Sequence, residues 1–272
     1  MAKPIIKWVG GKTQCLDTIR ELIPENYTTY YEPFLGGASV FLDINPEHAV
    51  VGDINPELIN MYIQVRDDVE TVISYLETLD IDHESAQDKK AFYYRIRDDF
   101  TVNRGCNTPT QAARFIYINK HCFNGLYRID SNGEFNVPFN GRLIGDSFDP
   151  DHMRAVSQQI QGIDFKCQDF EETLMTAEPG DFVFIDSPYT PLTPTFFKWN
   201  TKEEFTHEDH VRLARLVKKL TDRGVKCLLT NHNTGLIRDL YKDYNIRVVD
   251  TRRSINRDAN NRTGKDVIIT NY

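Results

Sequence analysis

The chain has 272 residues, of which 40% are hydrophobic and 26% charged, with a formal net charge of −8. That length suits one large domain or a core domain with an insertion, and the composition is that of a globular protein. No apolar stretch reaches membrane-spanning length, Met1-Ala2-Lys3-Pro4 has no signal-peptide apolar region, and the acidic total excludes coating of nucleic acid through bulk charge.

A cytoplasmic protein is therefore expected, with no membrane partner. The five cysteines (Cys15, Cys106, Cys122, Cys167, Cys227) contain no C-x-x-C pair and read as free thiols in a reducing compartment. Charge is unevenly spread. Arg212 to Lys265 holds fourteen Lys/Arg against five Asp/Glu, whereas acids concentrate between Asp43 and Asp99. A basic face on an acidic body is compatible with DNA contact, although a solvated helix face accounts for many of these residues equally well.

In chain order, Gly10-Gly11-Lys12-Thr13 opens a helix whose apolar residues Leu16, Ile19 and Ile23 keep helical spacing. It is not a P-loop, since position 6, where the first glycine belongs, is Ile. Two flexible glycines, exposed N–H groups and a lysine do suit a carboxylate, such as that of an amino-acid-like cofactor. Trp8 just before them is placed to cover an adenine. Thr29 to Phe34 reads as a strand entering the loop Leu35-Gly36-Gly37, and Ala38 to Leu42 restarts a helix.

Ala49-Val50-Val51 is a short buried strand ending at Asp53. Asp-Ile-Asn-Pro-Glu occurs at 43–47 and again at 53–57. Only Asp53 follows a strand, 17 residues past Gly36, close to the spacing at which an acid after a glycine turn reaches a ribose hydroxyl. Asp43, at a helix end, is expected on the surface. The G-x-G-x-x-G fingerprint is absent, so the loop suits S-adenosylmethionine as readily as a nicotinamide cofactor.

Residues 57–160 are mostly helical, with three-to-four spacing over Val69–Leu79, Ala86–Phe100 and Pro109–Asn119. Cys122 to Asp149, polar and glycine-bearing, reads as a hairpin or ordered loop. Strands return at Asp181–Asp186, Val225–Thr230, Ile246–Thr251 and Asp266–Thr270, with an amphipathic helix from Thr206 to Leu220 opened by a Thr206/Asp209 capping box. Alternating strands and helices imply a mostly parallel sheet covered on both faces, with the helical middle third inserted.

The most informative stretch is Asp186-Ser187-Pro188-Tyr189, which follows the apolar run Phe182–Ile185. A carboxylate, a proline and an aromatic ring at a strand's carboxyl end suit a flat, amino-bearing ring, while an ordinary turn also uses Asp, Ser and Pro. No metal site is indicated: His207-Glu208-Asp209-His210 sits in a helical first turn without further ligands. No Pro-Cys pair supports cytosine carbon-5 chemistry.

Taken together, these segments resemble the Dam-type DNA adenine-N6 methyltransferases, particularly the DpnII-type branch that modifies GATC. The resemblance rests on Lys7–Lys12, Glu32–Gly37, Asp53–Asn55, Phe123–Arg128, Glu134–Phe139, Gly180–Asp186 and Arg252–Ile255, in that order along nearly the whole chain. It implies an α/β fold: a Rossmann-like S-adenosylmethionine-dependent methyltransferase sheet (1–56 and 161–272) with an inserted, mainly helical DNA-recognition domain and hairpin loop (57–160). Trp8, Gly10, Gly11, Lys12, Phe34, Gly36, Gly37, Asp53 and Asp186 would hold S-adenosyl-L-methionine. Asp186, Ser187, Pro188 and Tyr189 would form the catalytic tetrapeptide.

Within double-stranded DNA, Arg128 would read a guanine, Leu126 and Pro138 would touch neighbouring bases, Phe123 would wedge into the stack and Asn124 would hold the backbone. Lys7 would meet the outer base pair, and Arg252 and Arg253 the phosphates. A monomer without a metal is expected. The resemblance departs at Ser187, where the family usually has proline: the carbonyl is kept and the fixed φ lost, which predicts retained but weakened activity. Two other readings stand beside this one, a non-catalytic DNA-binding protein on the same fold and an enzyme with an RNA or protein-glutamine acceptor.

Overall fold

The computed structural model describes residues 2–12, 15–141, 145–191, 205–252 and 263–272, with only the backbone of Arg252 and Thr263. Seven strands, β1 (Tyr30–Glu32), β2 (Ala49–Asp53), β3 (Asp164–Cys167), β4 (Phe182–Ile185), β5 (Lys226–His232), β6 (Asn245–Arg252) and β7 (Thr263–Thr270), form one sheet in the order β3-β2-β1-β4-β5-β7-β6. The first five are parallel, with Tyr31 beside Val50 and Val183, and Ile185 beside Leu229; β7 runs antiparallel to β5 and β6 antiparallel to β7. The expected strands are all present. β3 was not anticipated: four residues with one fully buried side chain, at the sheet edge, carry little apolar signal.

Side-chain alternation sends Phe182, Phe184, Leu228 and Ile268 into one apolar cluster, and Val183, Ile185, Leu229 and Ile269 into another. Burial on both faces explains the near-continuous apolar runs of these strands. The second cluster is closed by Leu213, Val217 and Leu220 of helix α9 (His207–Asp222), whose N-terminus carries the expected Thr206/Asp209 capping box. Two short helices, α8 (Phe170–Thr173) and α10 (Gly235–Leu240), lie on either side of it in sequence.

The first cluster is shared with the excursion between β2 and β3. That excursion holds α3 (Pro56–Asp67), α4 (Val69–Ser85), α5 (Lys89–Val102), α6 (Pro109–His121) and α7 (Pro150–Gln159), and α3 packs on both β3 and α6. Each start has a chemical cause. Asn55 Oδ1 accepts from the Glu57 and Leu58 N–H groups with Pro56 in the first turn, and Asp88, Thr108 and Asp149 cap α5, α6 and α7. The last of these is an Asp-Pro start that sequence spacing did not resolve. Between α6 and α7, bridges Cys122–Phe139 and Ile129–Phe135 make the expected hairpin. Near the N-terminus, α1 (Leu16–Leu22) is tied to α2 (Ser39–Ile44) by Arg20, which donates to Asp43 at 2.6 Å. Asp43 is thus half-buried and paired, where a surface position was expected.

A polar knot is enclosed in this helical layer. His121 bonds Ser147 at 2.9 Å, Ser147 N–H donates to Asp80 at 2.7 Å, and the His83 ring lies 4.5 Å from His121. Burial, then the neighbouring His83, lowers the His121 pKa to about 3. Its neutral form is therefore the native one, while the unfolded chain protonates it below about 6.5, so its contribution is complete above that pH and is lost on acidification. The loss should reach up to about 1.4 kcal/mol per pH unit. Melting curves between pH 7 and 5 should fall less steeply for His121→Gln than for the parent; parallel curves would remove His121 from the acid response.

Candidate active site

Strand order reverses between β1 and β4: the chain leaves β1 towards β2 and leaves β4 towards β5. Ligands of open α/β sheets sit outside the carboxyl ends of strands at such a point. The two loops flanking it are Phe34–Gly37 after β1 and Asp186–Tyr189 after β4.

Asp186 is gripped from two sides. Lys12 Nζ lies 2.6 Å from Oδ2, and Thr230 Oγ1 donates to Oδ1 at 2.6 Å. Lys12 also donates to the Gly10 carbonyl at 2.5 Å, and its ammonium lies 4.7 Å from the Tyr189 ring centre. Gly10 takes a φ of +91°, a conformation that glycine reaches without strain. Burial, then the adjacent Asp186 charge, pushes the Tyr189 phenol well above its usual range, so it is a neutral ring. Pro188 is exposed and Ser187 buried.

The end of β5 supplies a collar for this loop. Asn231 Oδ1 accepts from Thr190 N–H at 3.0 Å and from His232 N–H at 2.8 Å, and Asn231 Nδ2 donates to Ser187 Oγ at 3.4 Å. His232 Nδ1 pairs with the Thr190 carbonyl at 2.7 Å, and its ring meets Tyr189 edge-on at 4.7 Å. Sequence reading missed Thr230, Asn231 and His232. A signal existed, since a polar run, Thr230-Asn231-His232, follows directly on the apolar Cys227-Leu228-Leu229.

Asp53 ends β2 beside the glycine loop. Its Oδ2 accepts from Gly36 N–H at 3.0 Å and its Oδ1 from Asn55 N–H at 2.9 Å. Burial raises its carboxyl pKa while these donors pull the other way. A carboxylate oxygen has two acceptor sites, so both oxygens can still receive a vicinal diol. Ile54, 52% exposed, offers an aliphatic surface next to it. Phe34 is stacked on Phe170 at 5.3 Å. Trp8 stacks on Tyr127 at 5.5 Å and approaches the glycine loop so closely that a Cβ on Gly36 or Gly37 would fall 2.8 or 2.9 Å from its atoms. Trp8 therefore packs against both the loop and the hairpin.

The segments expected to face DNA also converge. Asn119, buried in α6, accepts from Lys7 N–H at 3.0 Å and donates to the Lys7 and Gly125 carbonyls at 2.9 and 3.2 Å. This fixes the exposed Lys7 against the turn Phe123–Gly125, where Phe123 is 50% exposed and Asn124 takes a φ of +58°. A cavity of about 420 Å³ between them is lined by Lys7, Trp8, Gly10, Gly11, Gly37 and Asn124, but not by Asp53, Asp186 or Tyr189. It joins the glycine pair to the turn. Arg128 donates through Nε to Asn136 Oδ1 at 2.5 Å and through Nη2 to the Asn136 carbonyl at 3.2 Å. Pro138 is exposed, and its carbonyl accepts from Phe123 N–H at 2.8 Å. Leu126 lies in the core cluster and is 6% exposed. Arg253 lies outside the described residues, as does the side chain of Arg252. No helix among the described residues is long and apolar enough to cross a membrane, and no group of three or more potential metal ligands occurs among them.

Residues 8–255 match the family described as D12 class N6 adenine-specific DNA methyltransferase. The chain belongs to that family. The methyltransferase is 37% identical to the Type II methyltransferase M.MjaIII of Methanocaldococcus jannaschii, over 99% of each chain. It is 33% identical to the DNA adenine methylase of Serratia marcescens (99% of this chain, 98% of the other) and 31% identical to that of Escherichia coli K12 (99% and 95%). This is an adenine-specific DNA methyltransferase with an α/β fold.

Proposed function

We propose that this methyltransferase moves a methyl group from S-adenosyl-L-methionine to N6 of an adenine turned out of duplex DNA, at GATC. The observation that carries the reading is the Asp186 carboxylate, fixed by Lys12 and Thr230 at the strand-order reversal beside the Tyr189 ring. The residues fit the donor. Asp53 has acceptor capacity for a ribose diol, Gly10 and Gly11 offer backbone close to Lys12, and Ile54 offers apolar surface for a purine. When bound, the donor supplies an electrophilic methyl on a sulfonium.

The acceptor nitrogen is a poor nucleophile because its lone pair is delocalised into the ring. Asp186 and the Ser187 carbonyl accept its two N–H groups, so the lone pair can turn out of the ring plane. The Asp186 charge offsets the positive charge that builds on N6, and because Lys12 and Thr230 already orient it, little reorganisation is left for the reaction itself. Tyr189, a neutral ring, stacks on the everted base and replaces lost stacking.

Residues 57–160 are assigned to target recognition and 1–56 with 161–272 to catalysis. Lys7, Phe123, Asn124, Arg128 and Pro138 would face the duplex, supported by the exposure of Lys7, Phe123, Asn124 and Pro138 and by the way Asn119 ties Lys7 to the turn. GATC rests on the likeness of Phe123–Arg128 and Glu134–Phe139 to the DpnII-type branch. Incubation with the donor and genomic DNA, followed by mapping of methylated adenines, should place N6-methyladenine at GATC. Modification at another sequence would overturn the site, and label entering RNA or protein in preference to duplex would overturn the acceptor.

A further inference from the structure

We propose that Asn231 is a positioning residue for methyl transfer, whose single carboxamide sets the backbone of the loop from Ser187 to Thr190. The proposal rests on reading Asp186–Tyr189 as the catalytic tetrapeptide. Asn231 is 4% exposed and bonds both ends of that loop: Oδ1 takes Thr190 N–H at 3.0 Å and Thr190 Oγ1 at 3.3 Å, while Nδ2 donates to Ser187 Oγ at 3.4 Å. The residue before it, Thr230, fixes Asp186, and the residue after it, His232, holds the Thr190 carbonyl. Three successive residues of β5 thus hold a loop 41 to 44 positions earlier in the chain.

A carboxamide suits this place because acceptor and donor are needed on one short side chain. Ser187 is 3% exposed, so its hydroxyl needs a protein partner, and Asn231 provides it. The carbonyl of Ser187 is the group expected to receive an amine hydrogen, and a shift of a few tenths of an ångström there misaligns the nucleophile. Two restraints keep it in place without a proline ring at 187. Pro188 confines the preceding residue to extended backbone, and the Ser187–Asn231 bond anchors the side chain. Asn231 and Ser187 act on the orientation of the bound adenine rather than on its affinity, so their loss should appear in kcat and leave KM nearly unchanged.

The test is a double-mutant cycle on the full chain, with methyl incorporation into a GATC duplex and separate KM values for DNA and donor. Ser187→Ala should lower kcat roughly two- to tenfold, the range set by one net hydrogen bond, with both KM values within about twofold of the parent. Ser187→Pro should return kcat to at least the parental level, because the ring restores by covalent restraint what the hydrogen bond supplied. Asn231→Ala should lower kcat further, and the double variant Ser187→Ala/Asn231→Ala should lose less than the product of the single losses. Parental kcat in Ser187→Ala, strictly multiplicative losses, or losses confined to KM would each overturn the proposal. Should Asn231→Ala fail to fold, the Ser187→Ala and Ser187→Pro pair decides alone. Asp186→Ala separates the two levels: if it is inactive while the cycle shows no coupling, only the Asn231 role falls, whereas parental turnover in Asp186→Ala removes the tetrapeptide reading and this inference with it.

Discussion

Asp186→Ala is expected to abolish methyl transfer, lowering single-turnover incorporation by about a thousandfold or more, with a folded protein remaining. Removing one preorganised electrostatic group from a reacting centre costs roughly a hundred- to a thousandfold, and here two further groups lose their anchor. Lys12 is left with the Gly10 carbonyl and the Tyr189 ring but no counter-charge from Asp186, and Thr230 loses its acceptor. The fold should survive because Asp186 sits in a loop with a side chain 19% exposed, outside both apolar clusters. Circular dichroism melts beside a labelled-methyl assay separate the two effects. Turnover near the parental value would remove Asp186 from the chemistry. Asp186→Asn is the sharper variant: it keeps an acceptor for Thr230 but turns an N–H towards Lys12 or towards the adenine amine, so it too should be severely impaired.

Arg128→Ala should relax the choice of base at one guanine. A guanidinium paired bidentately with guanine O6 and N7 is worth about 1–3 kcal/mol of discrimination, or roughly 5- to 150-fold. Asn136 holds this guanidinium by Nε and Nη2 before DNA arrives, which limits the side-chain entropy lost on contact. The measurement is the ratio of kcat/KM on GATC to that on duplexes altered at each position. The ratio should collapse at one guanine and persist elsewhere. An equal fall on all duplexes would make Arg128 a phosphate anchor.

Much of the architecture was legible because its causes are local. The apolar runs at 182–185 and 227–229 announce buried strands, Pro56 and Thr206 announce helix starts, and Asp53 follows a strand at a telling distance from Gly36. What escaped depends on partners distant in sequence. β3 needs β2 beside it to be a strand at all, since only one of its four side chains is fully buried. The pairing of Lys12 with Asp186 spans the chain, and the collar at 230–232 has meaning only once β4 and β5 lie side by side. The stacking of Trp8 on Tyr127 was equally out of reach of the sequence, since the two rings lie far apart along the chain.

The apolar cluster common to the sheet and the α3–α7 excursion limits how such enzymes can be re-engineered. Phe182, Phe184 and Leu228 belong to the same cluster as Tyr62, Val72, Phe92 and Phe115. The segment proposed to read DNA, cut at 57 and 160 and transplanted onto another member's sheet, would meet side chains of foreign shape across that seam. Chimeras should therefore express as folded protein only when the sheet residues facing the graft travel with it.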